Sequence, residues 1–537
     1  PGGDAAQLFI RGQASFNTTA PLILVDGVER SFNQIDSEDI ESISVLKDAS
    51  AIAVYGVRGV NGVILVTIKR GDEGKSKISL SSEYGITHFT AIPQQLNAEN
   101  TARLQREGSY NDGLDITTSG NTNNFPASEY DMYLYRTQLK PFTHPDNDLV
   151  DIFTKPGSRQ RYNLNISGGN KVLKYFVGLG YLEQTGMYQT DVEELRKHPT
   201  FAKLISLSPE VDKALVNPDY NPEYLYRRIT ARTNLDININ DDFSIGIDMS
   251  YRFGNQNRPA AYSIIDANSD GENMRLFAMF IRNPPQAFPL IHASGAMSSA
   301  HTRWRQNPLI TLAYTGYRND TDNDMELTAK FQYNLRKLLK GLSIDGKYAF
   351  DNSWGNFRGM GWRPFVYSYD EATNAYTQGL NGFLPKTESS KSSPISREYA
   401  ELAVRYNNTF NSVHKISGVV LTNFRSSKAR SGQYSYVPHV YQALIGRVNY
   451  EYDERYLIEF NMGYNGSNRF AEGHRYDFFP AVSAGWVPTN ESFFPKNNIL
   501  NFAKLRASAG QVGNDNIGGF SYYYRSSYEN TNNTKYS

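Results

Sequence analysis

The 537-residue sequence contains no cysteine. That excludes disulfide staples, thiolate metal sites and cysteine nucleophiles, and it fits a compartment where a free thiol is a liability. Charge of one sign is missing as well. The 55 Lys and Arg balance the 55 Asp and Glu, so no net field draws the chain to nucleic acid or to acidic lipid. Long hydrophobic runs are absent: the longest, GVILVTI at 62–68, falls far short of the roughly 20 residues a spanning helix needs. A barrel is not excluded, because its strands cross with about 10 alternating residues. The eight His are scattered, with no metalloprotease spacing and no neighbouring nucleophile, so the chain reads as a non-enzyme without a cofactor. An initiator Met and a signal peptide are also missing, and the tail NTNNTKYS is polar; both ends read as cut. Aromatics, by contrast, are abundant at 13%, with 37 Tyr against 4 Trp.

The stretch LKDASAIAVYGVRGVNGVILVTIKRG at 46–71 carries a ladder of Gly56, Gly59 and Gly62. A phosphate loop runs strand, glycines, helix, so that the helix N-terminus faces the anion. Here the order is reversed. Asp48 is placed to cap a helix over ASAIAVYG, Gly56 to end it as a left-handed C-cap, and GVILVTI to leave as a strand. An anion would meet the carbonyl end of that helix, so the ladder reads as a packing turn. LFIRG at 8–12 and PLILVDG at 21–27 read as buried strands, the second closed by an Asp26-Gly27 turn. DIESISVLK at 39–47 has a strand period around Ile43 and Val45. Residues 1–71 thus form a small mixed α/β unit.

Residues Arg11, Gly12, Asp26, Gly27, Lys47, Asp48, Tyr55, Gly56, Arg58, Gly59, Asn61 and Gly62 closely resemble the plug signature of SusC-like TonB-dependent transporters (SusC/RagA family) of Bacteroidetes outer membranes. The resemblance implies that 1–71 is the second, C-terminal half of a plug, with the TonB box and any N-terminal extension upstream of Pro1.

From about Ser76 the chain becomes a series of amphipathic hairpins. In RRITARTNLDININDDFSIGIDMSYRF, Ile229, Ala231, Thr233, Leu235, Ile237 and Ile239 alternate with polar residues. After a turn at Asn240 to Asp242, Phe243, Ile245, Ile247, Met249, Tyr251 and Phe253 resume the period. Similar hairpins occur at 162–187, 325–350 and 444–464, separated by long polar connections at 87–159, 188–225, 254–323 and 352–397. Apolar faces ending in Tyr or Phe, polar opposite faces, and short turns alternating with long loops fit a transmembrane antiparallel β-barrel over 72–537. The rival is a soluble sandwich whose apolar faces pack against a second sheet. Family members close about twenty-two strands, whereas this chain supplies roughly twelve, so it reads as a fragment whose barrel closes downstream. DLVDIFTKPGSRQRYNLNISGGN, IRNPPQAFPL and YDFFPAVSAGWVPTNESFF extend the resemblance along the barrel.

Two other patterns suggest sites. Asp266, Asn268, Asp270 and Gly271 match the first half of a calcium loop, but Phe277 stands where a bidentate Glu is needed; the other reading is a polar turn. Asp320, Asp322 and Asp324 alternate in RNDTDND without the glycine, and read as the solvated start of a strand at Met325. In 353–376, Trp354, Trp362, Tyr367 and Tyr369 suit stacking on sugar rings or peptide contacts, unless they belong to the aromatic girdle or pack the loop on itself.

The resemblance implies energised import in the cell outer membrane. A SusD-like surface lipoprotein would close over the barrel mouth, and the TonB-ExbB-ExbD complex would pull on the plug. The cargo would be an oligosaccharide or a peptide. An importer of siderophore or cobalamin, or an adhesion or structural barrel without transport, is the alternative.

Overall fold

The computed structural model describes residues 20–32, 35–46, 61–113, 128–260, 272–298, 307–379, 382–392, 394–428, 437–495, 500–513, 515, 522 and 524. The strand LFIRG, the helix ASAIAVYG, and signature residues Arg11, Gly12, Lys47, Asp48, Tyr55, Gly56, Arg58 and Gly59 lie outside the described residues. So do Asp266, Asn268 and Asp270.

The first sheet has β1 (Leu22–Val25), β2 (Val28–Glu29), β3 (Ile40–Leu46) and β4 (Val63–Ile68) in the order β2-β1-β4-β3. The Asp-Gly turn forms as its residue types dictate. Asp26 and Gly27 both take positive φ, 48° and 79°, the geometry that a two-residue hairpin turn demands. The Asp26 carboxylate then accepts from the Ile68 amide at 3.2 Å, tying the turn to the end of β4. Gly62, at φ 88°, accepts the Leu22 amide on its carbonyl at 3.0 Å and starts the parallel β1–β4 pairing. Val25, Val63, Val66 and Ile68 are buried in this unit.

A second sheet of fourteen strands follows. It comprises β5 (Gly74–Thr87), β6 (Gly157–Gly169), β7 (Leu173–Thr185), β8 (Leu225–Asn238), β9 (Phe243–Pro259), β10 (Gly316–Asn334) and β11 (Leu342–Arg363). It continues, past a separate hairpin β12 (Tyr367–Asp370) and β13 (Ala375–Gln378), with β14 (Phe383–Lys391), β15 (Ile395–Phe410), β16 (His414–Ser427), β17 (His439–Tyr452), β18 (Tyr456–Ser467), β19 (Tyr476–Trp486) and β20 (Leu505–Gly510). Neighbours are sequential and antiparallel from β5 to β20, except that β11 pairs with β15 and β14 branches off β11. Among the described residues the sheet does not close.

Register follows the hydrophobic period. Ile229 faces Phe253, Ala231 faces Tyr251, Thr233 faces Met249, Leu235 faces Ile247 and Ile237 faces Ile245, so the two apolar rows share one face. That face is open. On β18, Tyr456, Ile458, Phe460, Met462 and Tyr464 are 45, 54, 48, 43 and 50% exposed. Tyrosines at both ends of this row are roughly 26 Å apart along the strand, the scale of a lipid-facing band with its aromatic girdles. No second sheet packs on that face among the described residues. The sandwich reading therefore fails.

Short connections at 170–172, 239–242, 335–341, 411–413 and 453–455 share one rim, joined by the longer 487–504. The other rim carries the long connections. They are shorter than the sequence suggested, because residues 254–259, 316–323, 352–363, 383–391 and 395–397 are strand. The described parts of connections 88–156, 186–224 and 260–315 form a helical cap around buried Phe153, Phe201, Phe280, Leu290, Leu309 and Leu312.

Candidate functional site between the small unit and the sheet

The polar face of the large sheet is concave toward the small unit, and the two meet through charged side chains. Strand alternation puts Arg228, Arg232 and Asp236 of β8 on that face, with Asp248 of β9, Glu326 and Lys330 of β10, and Asp351 of β11. All but Lys330 lie opposite a charge of the small unit.

Three clusters result. In the first, Arg30 donates from Nη2 to Asp351 Oδ1 at 2.6 Å and to Thr328 Oγ1 at 3.0 Å, while Nε reaches Asp351 Oδ2 at 3.0 Å. Both side chains are under 10% exposed, and Glu326 lies 3.9 Å from the same guanidinium. Burial penalises the Arg30 charge, yet the hydrogen bond to Asp351 and the field of Glu326 and Asp351 leave its pKa above the ordinary value. In the second, Arg70 reaches Asp248 at 2.9 Å, Asp236 at 3.2 Å and Asp26 at 3.3 Å, and Lys330 joins the two wall carboxylates at 3.3 and 3.5 Å.

The third is the loop at Asp36 to Asp39. Asp36 pairs with Arg161 and lies 3.7 Å from Arg228, and Arg161 also donates to Ser37 Oγ at 2.8 Å. Asp39 sits 3.5 Å from Arg232. Here burial wins: desolvation, against the Arg232 guanidinium, lifts the Asp39 carboxyl to about 6. This loop reaches the wall because β7 presents glycines to it. A Cβ on Gly178 would lie 2.8 Å from Asp39 Oδ1; one on Gly180 would lie 2.5 Å from Thr230 Oγ1 and 3.0 Å from Asn163 Oδ1.

Farther along, Lys347 of β11 donates to the Asp26 carbonyl at 2.9 Å, and Arg425 of β16 pairs with Glu29. Beyond them lies a cavity of about 450 Å³ between Leu22, Leu24 and Leu65 of the small unit and Val419, Leu421 and Ile445 of the wall.

The structure does not bring the four aromatic residues of 353–376 together, and most of that segment is strand rather than loop. Trp354 lies in β11, paired with Asn323, on the outward-facing row with Tyr348. Trp362 donates from Nε1 to Tyr220 Oη at 2.9 Å and packs on the cap core. Tyr367 starts β12, its carbonyl 2.8 Å from His292 Nε2. Tyr369 lies across the hairpin from Tyr376, ring centroids 5.1 Å apart. Asp320 and Asp324 lie within β10, bound to Arg318 and Arg258 and to Arg252 respectively; guanidinium groups meet their charge. Among the described residues no cluster of His, Asp or Glu could hold a metal ion.

Sequence reasoning named none of the ion pairs between the small unit and the large sheet. The alternating charges of β8 were visible as a wet face, but their partners are far away in sequence.

Against known proteins, the family described as TonB-dependent Receptor Plug Domain matches residues 1–63. TonB-dependent receptor P39 of Formosa agariphila is 26% identical over 549 residues, covering 97% of this chain and 45% of the relative. TonB-dependent receptor SusC of Bacteroides thetaiotaomicron is 26% identical over 548 residues, covering 96% of this chain and 48% of the relative. The RagAB peptide importer in its open-open state superposes with a TM-score of 0.69 at 18% identity, over 96% of this chain and 55% of that one. The chain spans about half the length of the curated relatives it matches.

Proposed function

This chain belongs to the SusC/RagA family of TonB-dependent transporters, and from that premise we propose that it forms part of an importer in the bacterial outer membrane. Residues 1–71 act as the C-terminal half of the plug, and 72–537 as the N-terminal part of the barrel whose outward face meets lipid. The observation that carries this reading is the small unit held by buried ion pairs in the concave polar face of the sheet, Arg30 on Asp351 foremost. A structural barrel has no use for such an obstruction; a gated importer does. A SusD-like lipoprotein covers the rim of long connections, and TonB-ExbB-ExbD supplies the pull that loosens the plug. The cargo is an oligosaccharide or a peptide, with Tyr367 and Tyr369 beside the cap as contacts.

Labelled oligosaccharides and peptides supplied to cells expressing the full-length receptor test this directly. Uptake is expected to vanish on deleting the receptor, on removing TonB and on collapsing the proton gradient. Uptake indifferent to TonB and to the gradient would overturn the proposal.

A further inference from the structure

The cavity beside the plug is unlike the rest of that interface. A cleft of about 450 Å³ stays open here, the size of a small-ligand site. One side is aliphatic, from Leu22, Leu24 and Leu65; the other mixes Val419, Leu421 and Ile445 with charge. The cations around it are mostly engaged: Lys347 on the Asp26 carbonyl, Arg425 on Glu29, and Arg405 on Asp345 at 2.6 Å. The carboxylates are engaged as well, Glu401 by Tyr399 and Glu459 by Asn461 at 2.6 Å. Arg447, which also lines the cavity, has no hydrogen-bond or ion-pair partner among the described residues. A half-buried guanidinium without a counter-charge favours a planar anion that can accept two parallel hydrogen bonds.

We propose that cargo passes the plug along the β15–β18 wall through this cavity, and that Arg447 selects for segments bearing a carboxylate. The inference rests on the import reading above. The opposite wall is closed by three ion-pair clusters and by the glycine-seated loop, whereas this wall faces the plug across the cavity, with Arg425 on Glu29 beside it. A pull on the plug therefore opens this side first.

The absence of cysteine makes single-cysteine variants of this region informative. In the full-length receptor, Leu421→Cys and Ile445→Cys report the cavity and Thr328→Cys the clamped wall. The probes are an anionic and a cationic methanethiosulfonate reagent of similar size, applied to energised cells. Labelling at Leu421→Cys and Ile445→Cys is expected to be at least about tenfold faster than at Thr328→Cys (1.4 kcal/mol per decade). The anionic reagent should be favoured, and Arg447→Glu should reverse that preference. Faster labelling at Thr328→Cys overturns the path; an unchanged charge preference in Arg447→Glu overturns the selection. If no position responds to the proton gradient, the import reading falls, while the relative rates at the two walls still decide where the opening lies.

Discussion

The wall from β6 to β11 and the wall from β15 to β19 are built alike: long antiparallel strands, apolar rows outward, polar rows inward. They treat the plug differently. The first carries acidic and basic side chains in register with opposite charges of the plug and lowers its own relief with Gly178 and Gly180, so that a loop of the plug seats against backbone. The second turns Ala403, Val419, Leu421, Ala443 and Ile445 inward and leaves a void. One inner face is a complement; the other is a clearance. An inner face that is polar in general can thus be locally apolar where it borders a void.

The largest expected effect is at the Arg30 cluster. Arg30→Ala strands Asp351 and Glu326 in a buried site, and loss of one partner from a buried pair typically costs about 3–5 kcal/mol. In single-molecule pulling on the plug of the full-length receptor, the force that frees the plug should fall sharply. The double variant Arg30→Met with Asp351→Leu should recover much of it, because exchanging a buried pair for apolar groups is often neutral. An unchanged force in Arg30→Ala would erase the distinction between the walls.

These contacts explain how far the sequence could be read. Strand period, the outward rows of β8 and β9, the Asp26-Gly27 turn, and strands β3 and β4 follow from local chemistry and were legible. Arg30 and Asp351 stand 321 residues apart, and nothing local marks them as partners. The upper ends of β9, β10 and β11 read as loops in the sequence because both their faces carry polar side chains and the apolar alternation stops. Cross-strand pairs hold them instead: Asn255 with Asn319 at 2.9 Å, and Arg258 with Asp320 at 3.0 Å. Likewise, the aromatic concentration at 353–376 dissolved into three environments, since β11 carries Trp354 outward and Trp362 up into the cap.

A smaller effect separates the walls by volume. Gly180→Val drives carbon into Thr230 and Asn163, and overpacking of this kind costs about 1–3 kcal/mol. Val419→Ile adds one methylene on the cavity side and should cost well under about 1 kcal/mol, because the void accepts it. Thermal unfolding of the plug in the detergent-solubilised receptor reads both. Equal losses would mean that the second wall is as tightly fitted as the first.

The smallest effect has a distinctive sign. Asp39 is 6% exposed and its carboxyl is raised from 3.8 to about 6 by burial, with Arg232 opposing, Asp36 adding, and Lys69 and Arg161 opposing. Seating the plug therefore takes up a proton between those values. The contribution is fully present below about pH 4 and is lost as pH rises through 6, at on the order of 1 kcal/mol per pH unit. The plug's other clamped carboxylates, Asp26, Asp36 and Glu29, sit against closer cations, so Asp39 rather than these should make the plug hold more firmly in mild acid. Freeing forces compared at pH 5 and pH 7 check this, with Asp39→Asn flattening the difference and matching the firmer, acid-side value. A force that falls from pH 7 to pH 5 would mean that Arg232 outweighs burial, and that the loop is clamped by its ion pair like the rest of its wall.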